Sequence, residues 1–155
     1  MSKVQFKTTD GGINWSAPSR PALPSLGGSP VIEGGLNGIA CDAEGTSCTA
    51  VGNYLFGSEY NFHMVPLIYN SIDGGTTWTA VSSITLPTNS VNTVLNSIRC
   101  NSLKTTCSAA GDYYDTTLQS VGPVTYLSTD NGVTWSSPST HSLAASWLYA
   151  IISGL

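Results

Sequence analysis

"SIDGGTTW" (71–78) and "STDNGVTW" (128–135) spell one pattern twice, and "TTDGGINW" (8–15) spells it a third time more loosely. The pattern is Ser-x-Asp-x-Gly-x-Thr-Trp, and each position has a physical job in a hairpin. Glycine supplies the positive φ that a tight turn needs. The aspartate carboxylate accepts hydrogen bonds from nearby amides. The hydroxyls satisfy further backbone groups, and the tryptophan covers the turn. Ser71, Asp73, Gly75, Thr77 and Trp78 fit fully, as do Ser128, Asp130, Gly132, Thr134 and Trp135. The early copy has Thr8, Asp10, Gly12 and Trp15, with Thr8 in place of Ser and Asn14 in place of Thr. A calcium loop at Asp73 and Asp130 is the functional alternative. Each turn offers one carboxylate, whereas calcium takes about six to eight oxygens. No metal or cofactor site is assigned.

Working outward, the similarity extends far beyond the box. "LNGIACDAEGTSCTAVGNY" (36–54) aligns without a gap to "LNSIRCNSLKTTCSAAGDY" (95–113), at an offset of 59 residues. "PLIYNSIDGGTTW" (66–78) then aligns to "PVTYLSTDNGVTW" (123–135), at an offset of 57. Each unit reads as four short strands: A at 36–41, B at 47–54, C at 66–71 and D at 76–81. The chain opens in strand C, since "VQFKTTD" matches "LIYNSID". It closes in strand A, since "LYAIIS" (148–153) matches "LNGIAC".

The pattern Ser-x-Asp-x-Gly-x-Thr-Trp is the Asp-box, or BNR repeat, and the chain resembles Asp-box β-propellers. That group includes sialidase-like and sortilin-like proteins and a photosystem assembly factor. The resemblance implies an all-β fold of propeller blades, each of four antiparallel strands with an Asp-box hairpin. The whole chain, 1–155, reads as one partial propeller domain. Its repeats are 36–94 and 95–147, with partial blades at 1–35 and 148–155. Two whole blades flanked by incomplete ones amount to three, too few to close a ring, which typically has about four to eight. Completion by missing sequence or by oligomerisation is expected; two copies would give six blades.

Cys41 and Cys48 flank one A–B turn, and Cys100 and Cys107 flank the other, both seven residues apart. A hairpin places such residues opposite each other, within disulfide reach. The alternative is small buried thiols in a reducing compartment. Disulfides favour a secreted, periplasmic or cell-surface location. No signal peptide is visible in "MSKVQFKTTD", which suits either a cytosolic protein or a mature segment.

Composition narrows the partners. Hydrophobic residues are 41% and charged residues 9%, with a net charge of −4. The five basic residues are scattered, which disfavours nucleic acid. The apolar run 143–155 has 13 residues, too short for a helix that inserts across a membrane.

In the propeller arrangement the boxes and cysteines share one end. The B–C segments (54–66 and 113–123) and the D–A connections (16–35, 80–94 and 136–147) share the other. These segments do not repeat, so recognition is expected there. Candidate binding residues are Glu59, Tyr60, His63, Tyr113, Tyr114, Asp115 and Trp147. The leading expectation is a non-catalytic module recognising a glycan or protein, with no catalytic residue assigned. A sialidase-like glycoside hydrolase would need an arginine cluster and facing carboxylates about 5–9 Å apart. The chain has only Arg20 and Arg99, and Glu59 with Asp115 is its nominal acidic pair. An assembly or scaffold factor is the third class.

Overall fold

The computed structural model describes residues 6–8, 10–17, 21–22, 31–58, 61–82 and 84–141. Glu59, Tyr60, Trp147, Arg20 and the third strand-A copy at 148–153 lie outside these described residues.

Alternating small, β-branched and aromatic residues build two sets of strands. The first unit holds β1 (Val31–Cys41), β2 (Cys48–Ser58), β3 (Asn61–Ser71) and β4 (Thr79–Ala80). The second holds β5 (Ser90–Cys100), β6 (Cys107–Asp115), β7 (Ser120–Ser128) and β8 (Ser139–Thr140). Within each unit the strands pair antiparallel in chain order. One parallel pair, Met64 with Asn92, joins β3 to β5 and makes a single open sheet of eight strands. There is no helix among the described residues.

The strands reach further than the sequence suggests. Residues 54–66 read as a connection between strands B and C, yet β2 and β3 pair continuously from Cys48↔Ser71 to Ser58↔Asn61. Tyr54, Phe56 and His63 explain the extension. Phe56 lies directly across from His63, with ring centroids 5.6 Å apart, and aromatic cross-strand pairs stabilise a hairpin arm. The D strands are shorter than expected, at two residues each.

Both units repeat the same two irregularities. Register shifts fall between Leu36 and Gly38 and between Leu95 and Ser97, leaving Asn37 and Asn96 as bulge residues. A second pair of shifts falls between Val31 and Glu33 and between Ser90 and Asn92. The first bulge explains a matched pair of glycines. Gly52 and Gly111 face Leu36 and Leu95, and a Cβ at either would overlap the backbone of Gly35 or Val94.

Strand periodicity sends β3 into two cores. Ile68 faces the second unit, joining Val51, Leu95, Ala109, Tyr113, Val124 and Tyr126. Leu67 and Tyr69 face the other way, with Tyr54, Leu36 and Trp78. A strand buried on both faces reads as a continuous apolar run, which is what "PLIY" (66–69) is. Fully buried Val51, Ile68 and Leu95 each contribute roughly 1.5–3 kcal/mol. The inter-unit core is therefore a main tie between the two units.

Candidate functional site

Each box builds the same hydrogen-bonded cage. At Asp73, the Ser71 hydroxyl donates to Oδ1 at 2.8 Å, the Thr76 and Thr77 amides donate to Oδ1 at 2.9 and 2.8 Å, and the Thr77 hydroxyl donates to Oδ2 at 2.6 Å. The Gly75 amide donates to Ser71 Oγ, and the Trp78 indole donates to the Gly75 carbonyl at 3.0 Å. Ser128, Asp130, Gly132, Thr134 and Trp135 repeat these bonds. Positive φ values of 85° at Gly75 and 82° at Gly132 make the turn possible.

The early copy departs in letters but not in chemistry. Thr8 Oγ1 takes the role of the serine, donating to Asp10 Oδ1 and accepting from the Gly12 amide. The Asn14 side-chain amide replaces the threonine hydroxyl, donating to Asp10 Oδ2 at 2.6 Å. Trp15 lies against Gly12, as the other tryptophans lie against their glycines. Donors converging on a carboxylate favour its ionised form. The Asn14 backbone and side-chain amides, then Thr8, hold Asp10 down to about 2. The Thr77 hydroxyl and amide hold Asp73 down to about 2, and the equivalent Thr134 groups lower Asp130.

A second staple closes each A–B turn, and sequence reading passed over it. Asp42 accepts from the Thr46 amide and hydroxyl, both at 2.8 Å, and from the Ser47 amide. Asn101 takes its place in the second unit, bonding Thr105 Oγ1 and the Thr106 amide. The signal was an Asp or Asn directly after each first cysteine, with Thr four residues on. Beside it, each cysteine pair stands in register and is bonded: Cys41–Cys48 and Cys100–Cys107, with Cα atoms 4.0 Å apart in both.

The boxes also join unit to unit. Asn70 on β3 donates its side-chain amide to the Gly132 carbonyl, and Thr49 Oγ1 donates to Asn70 Oδ1. Gly132 is thus gripped by two strands of the preceding unit. Lys7 occupies the position of Asn70 in the repeat, and its side chain lies against Gly74. Lys104 is buried, donating to the Asn131 carbonyl at 2.6 Å. Burial pushes its ammonium below the usual range, against the opposing pull of Asp42. Asn37 donates to the Leu95 carbonyl and Ala43 N to the Ser102 carbonyl, closing the same seam.

The sequence profile of the BNR/Asp-box repeat matches residues 6–17 and 126–137. The chain carries BNR/Asp-box repeats. The 71–78 hairpin lies outside the two matched stretches, yet its cage is the same. No curated protein and no solved structure matches the chain.

The candidate binding residues fall into three groups. Glu59, Tyr60 and Trp147 lie outside the described residues. Tyr113 is buried in the core between the units, 6% exposed. His63, Tyr114 and Asp115 sit at the end away from the Asp-boxes. His63 Nδ1 lies 3.3 Å from the Val91 carbonyl, and its ring meets Phe56. Tyr114 is half-buried on β6, opposite Asn92 and Val121. Asp115 Oδ1 accepts from the Thr117 and Leu118 amides and shapes the β6–β7 turn. That turn is tied to the β4–β5 connection by Thr116, which bonds the Asn89 carbonyl. The same end carries exposed Phe62, Leu86, Leu118 and Val121; the three aliphatic side chains are ones that sequence reading left out of its site.

Proposed function

We propose that this chain is a non-catalytic Asp-box module whose units are β-propeller blades. It recognises a partner through the end formed by the β2–β3 and β6–β7 turns and the β4–β5 connection. The observation that carries this reading is the use of the aspartates. All six are engaged in local hydrogen bonds: Asp10, Asp73 and Asp130 in the boxes, Asp42 and Asp115 in turns, and Asp112 with Asn96. A glycosidase needs two carboxylates converging on one bond, and these six are spread over separate turns and strands.

The recognition end has the opposite character. Phe62 is 46% exposed and Leu118 56% exposed, with Leu86 and Val121 also exposed and His63 and Tyr114 beside them. Grouped exposed apolar side chains mark interaction sites on soluble domains. Their aliphatic share favours a protein partner over a glycan, which would call for stacking aromatics and polar donors. The two disulfides suit an oxidising, extracellular setting.

Printed glycan and protein arrays test the reading, using the wild-type chain, Phe62→Ala and Leu118→Asp. Specific binding that both substitutions weaken at least tenfold supports it. Binding unchanged by both contradicts it, and so does binding lost instead on substituting exposed Ile72 at the box end.

A further inference from the structure

The first unit receives the second through contacts that have counterparts on its own opposite side. Ile98 of β5 packs on Gly38 of β1, where a Cβ would lie 3.3 Å from the Ile98 backbone nitrogen. The repeat places Ile39 where Ile98 stands. Ile39 points away from the second unit and is 60% exposed. It lines a cleft of about 1060 Å³ together with Phe6, Trp15, Leu36 and Trp78. Small-molecule sites run roughly 300–1,000 Å³, so this apolar cleft lies at the upper limit of that class.

The hairpin 6–17 stands before the first unit as the first unit's own box hairpin stands before the second. Lys7, at the repeat position of Asn70, lies against Gly74 of the next box, one residue before the counterpart of Gly132. Tyr69 Oη donates to the Ala22 carbonyl at 2.6 Å, as Tyr126 Oη donates to the Thr85 carbonyl at 3.0 Å. The hairpin is therefore the C–D half of one more unit, and the cleft lies where the strand A of that unit belongs. The chain spells a third strand A at 148–153, with Ala150 at the position of Gly38 and Ser97. It offers a small residue where Ile39 needs one.

We propose that a second copy of this chain lays its residues 148–153 beside β1, filling the cleft between β1 and the hairpin 6–17. Chain reach selects a second copy over the same one. Nine residues, 81–89, carry the chain from β4 to β5 across one unit step, and seven, 141–147, separate β8 from Leu148. Seven residues extend at most about 25 Å. They cover one step beyond the second unit, whereas the cleft lies on the far side of the first. Two copies exchanging this segment form a closed pair about a two-fold axis.

Light scattering of the 155-residue chain at micromolar concentration is expected to read twice 16.2 kDa. Ile39→Asp replaces the apolar contact surface of the cleft with a charge and is expected to halve the mass. Ala150→Glu, outside both four-stranded units, is expected to do the same, so the test survives misfolding of the first variant. Leu103→Asp, on an exposed turn away from the cleft, leaves the mass unchanged. A copy carrying Ile39→Cys, mixed with one carrying Ala150→Cys, forms a disulfide-linked pair on oxidation. A wild-type mass of 16.2 kDa overturns the proposal, as does a pair that persists in folded Ile39→Asp and Ala150→Glu.

Discussion

Asn70 donates its side-chain amide to the backbone carbonyl of Gly132, 62 residues further along the chain. One strand of the first unit thereby holds the Asp-box turn of the second. The box serves as a hairpin staple inside its own unit and as a docking knob for the unit before it.

This docking makes the box glycines unequal. A Cβ at Gly132 would lie 2.7 Å from Thr49 Oγ1 and 2.9 Å from Asn70 Oδ1, whereas one at Gly75 meets only its own Trp78, at 3.3 Å. Both have positive φ, which costs an L-residue about 1–2 kcal/mol. Gly75→Ala is expected to lose about that amount in urea unfolding. Gly132→Ala is expected to lose more, because the Asn70 grip is broken as well. Equal losses would show that the inter-unit contact contributes nothing.

Gly52 and Gly111 answer to a harder constraint. A Cβ at either position overlaps the carbonyl of the bulged strand opposite, and strand backbones cannot shift far without losing the ladder. Gly52→Ala and Gly111→Ala are each expected to prevent recovery of soluble, oxidised protein. Recovery of either variant with a wild-type circular dichroism spectrum would contradict the bulge geometry.

Acid should loosen the hairpins first. The folded-state carboxyls of Asp10 and Asp73 lie at about 2, below the unfolded value of about 3.9. Groups with depressed values stabilise the fold fully above the unfolded value, and the contribution is lost as pH falls through the folded one. The thermal midpoint is therefore expected to be flat above about pH 5 and to fall between about pH 4 and 2. Carboxyl chemical shifts should titrate near 2 for Asp73, and Asp73→Asn should flatten part of the slope. A midpoint that rises on acidification would reverse the assigned sign.

Each disulfide closes a short loop, with a sequence separation of 7. Chain entropy assigns such a loop about 2–3 kcal/mol. Reducing both bonds is expected to shift the denaturant midpoint downward without changing the far-ultraviolet spectrum of the chain at low denaturant. An unchanged midpoint would mean that the bridges merely decorate a turn already held by Asp42 and Thr46.

The unequal legibility of the chain has physical causes. Box residues declare themselves because each is needed chemically, and Thr8 and Asn14 show that hydroxyl or amide is what counts. The cysteine pairs were legible because a turn of fixed length puts them in register. The long β2–β3 arm was not, since Gly57 and Pro66 are punctuation marks in sequence but lie inside paired strands here. The Asn70–Gly132 grip could not be read from periodicity, because it joins residues of different units through a backbone carbonyl. The proposed recognition end was suggested by its failure to repeat, but Leu118 and Val121 stood out only once their exposure was known.

The aspartates hold the fold, and the proposed recognition lies elsewhere. A paired reading of thermal midpoint and hydrolysis of a fluorogenic glycoside panel, sialosides included, tests it across the six Asp→Asn variants. No turnover is expected of the wild-type chain, with lower midpoints for the variants at Asp10, Asp42, Asp73 and Asp130. Wild-type turnover that one aspartate variant abolishes at an unchanged midpoint would contradict it.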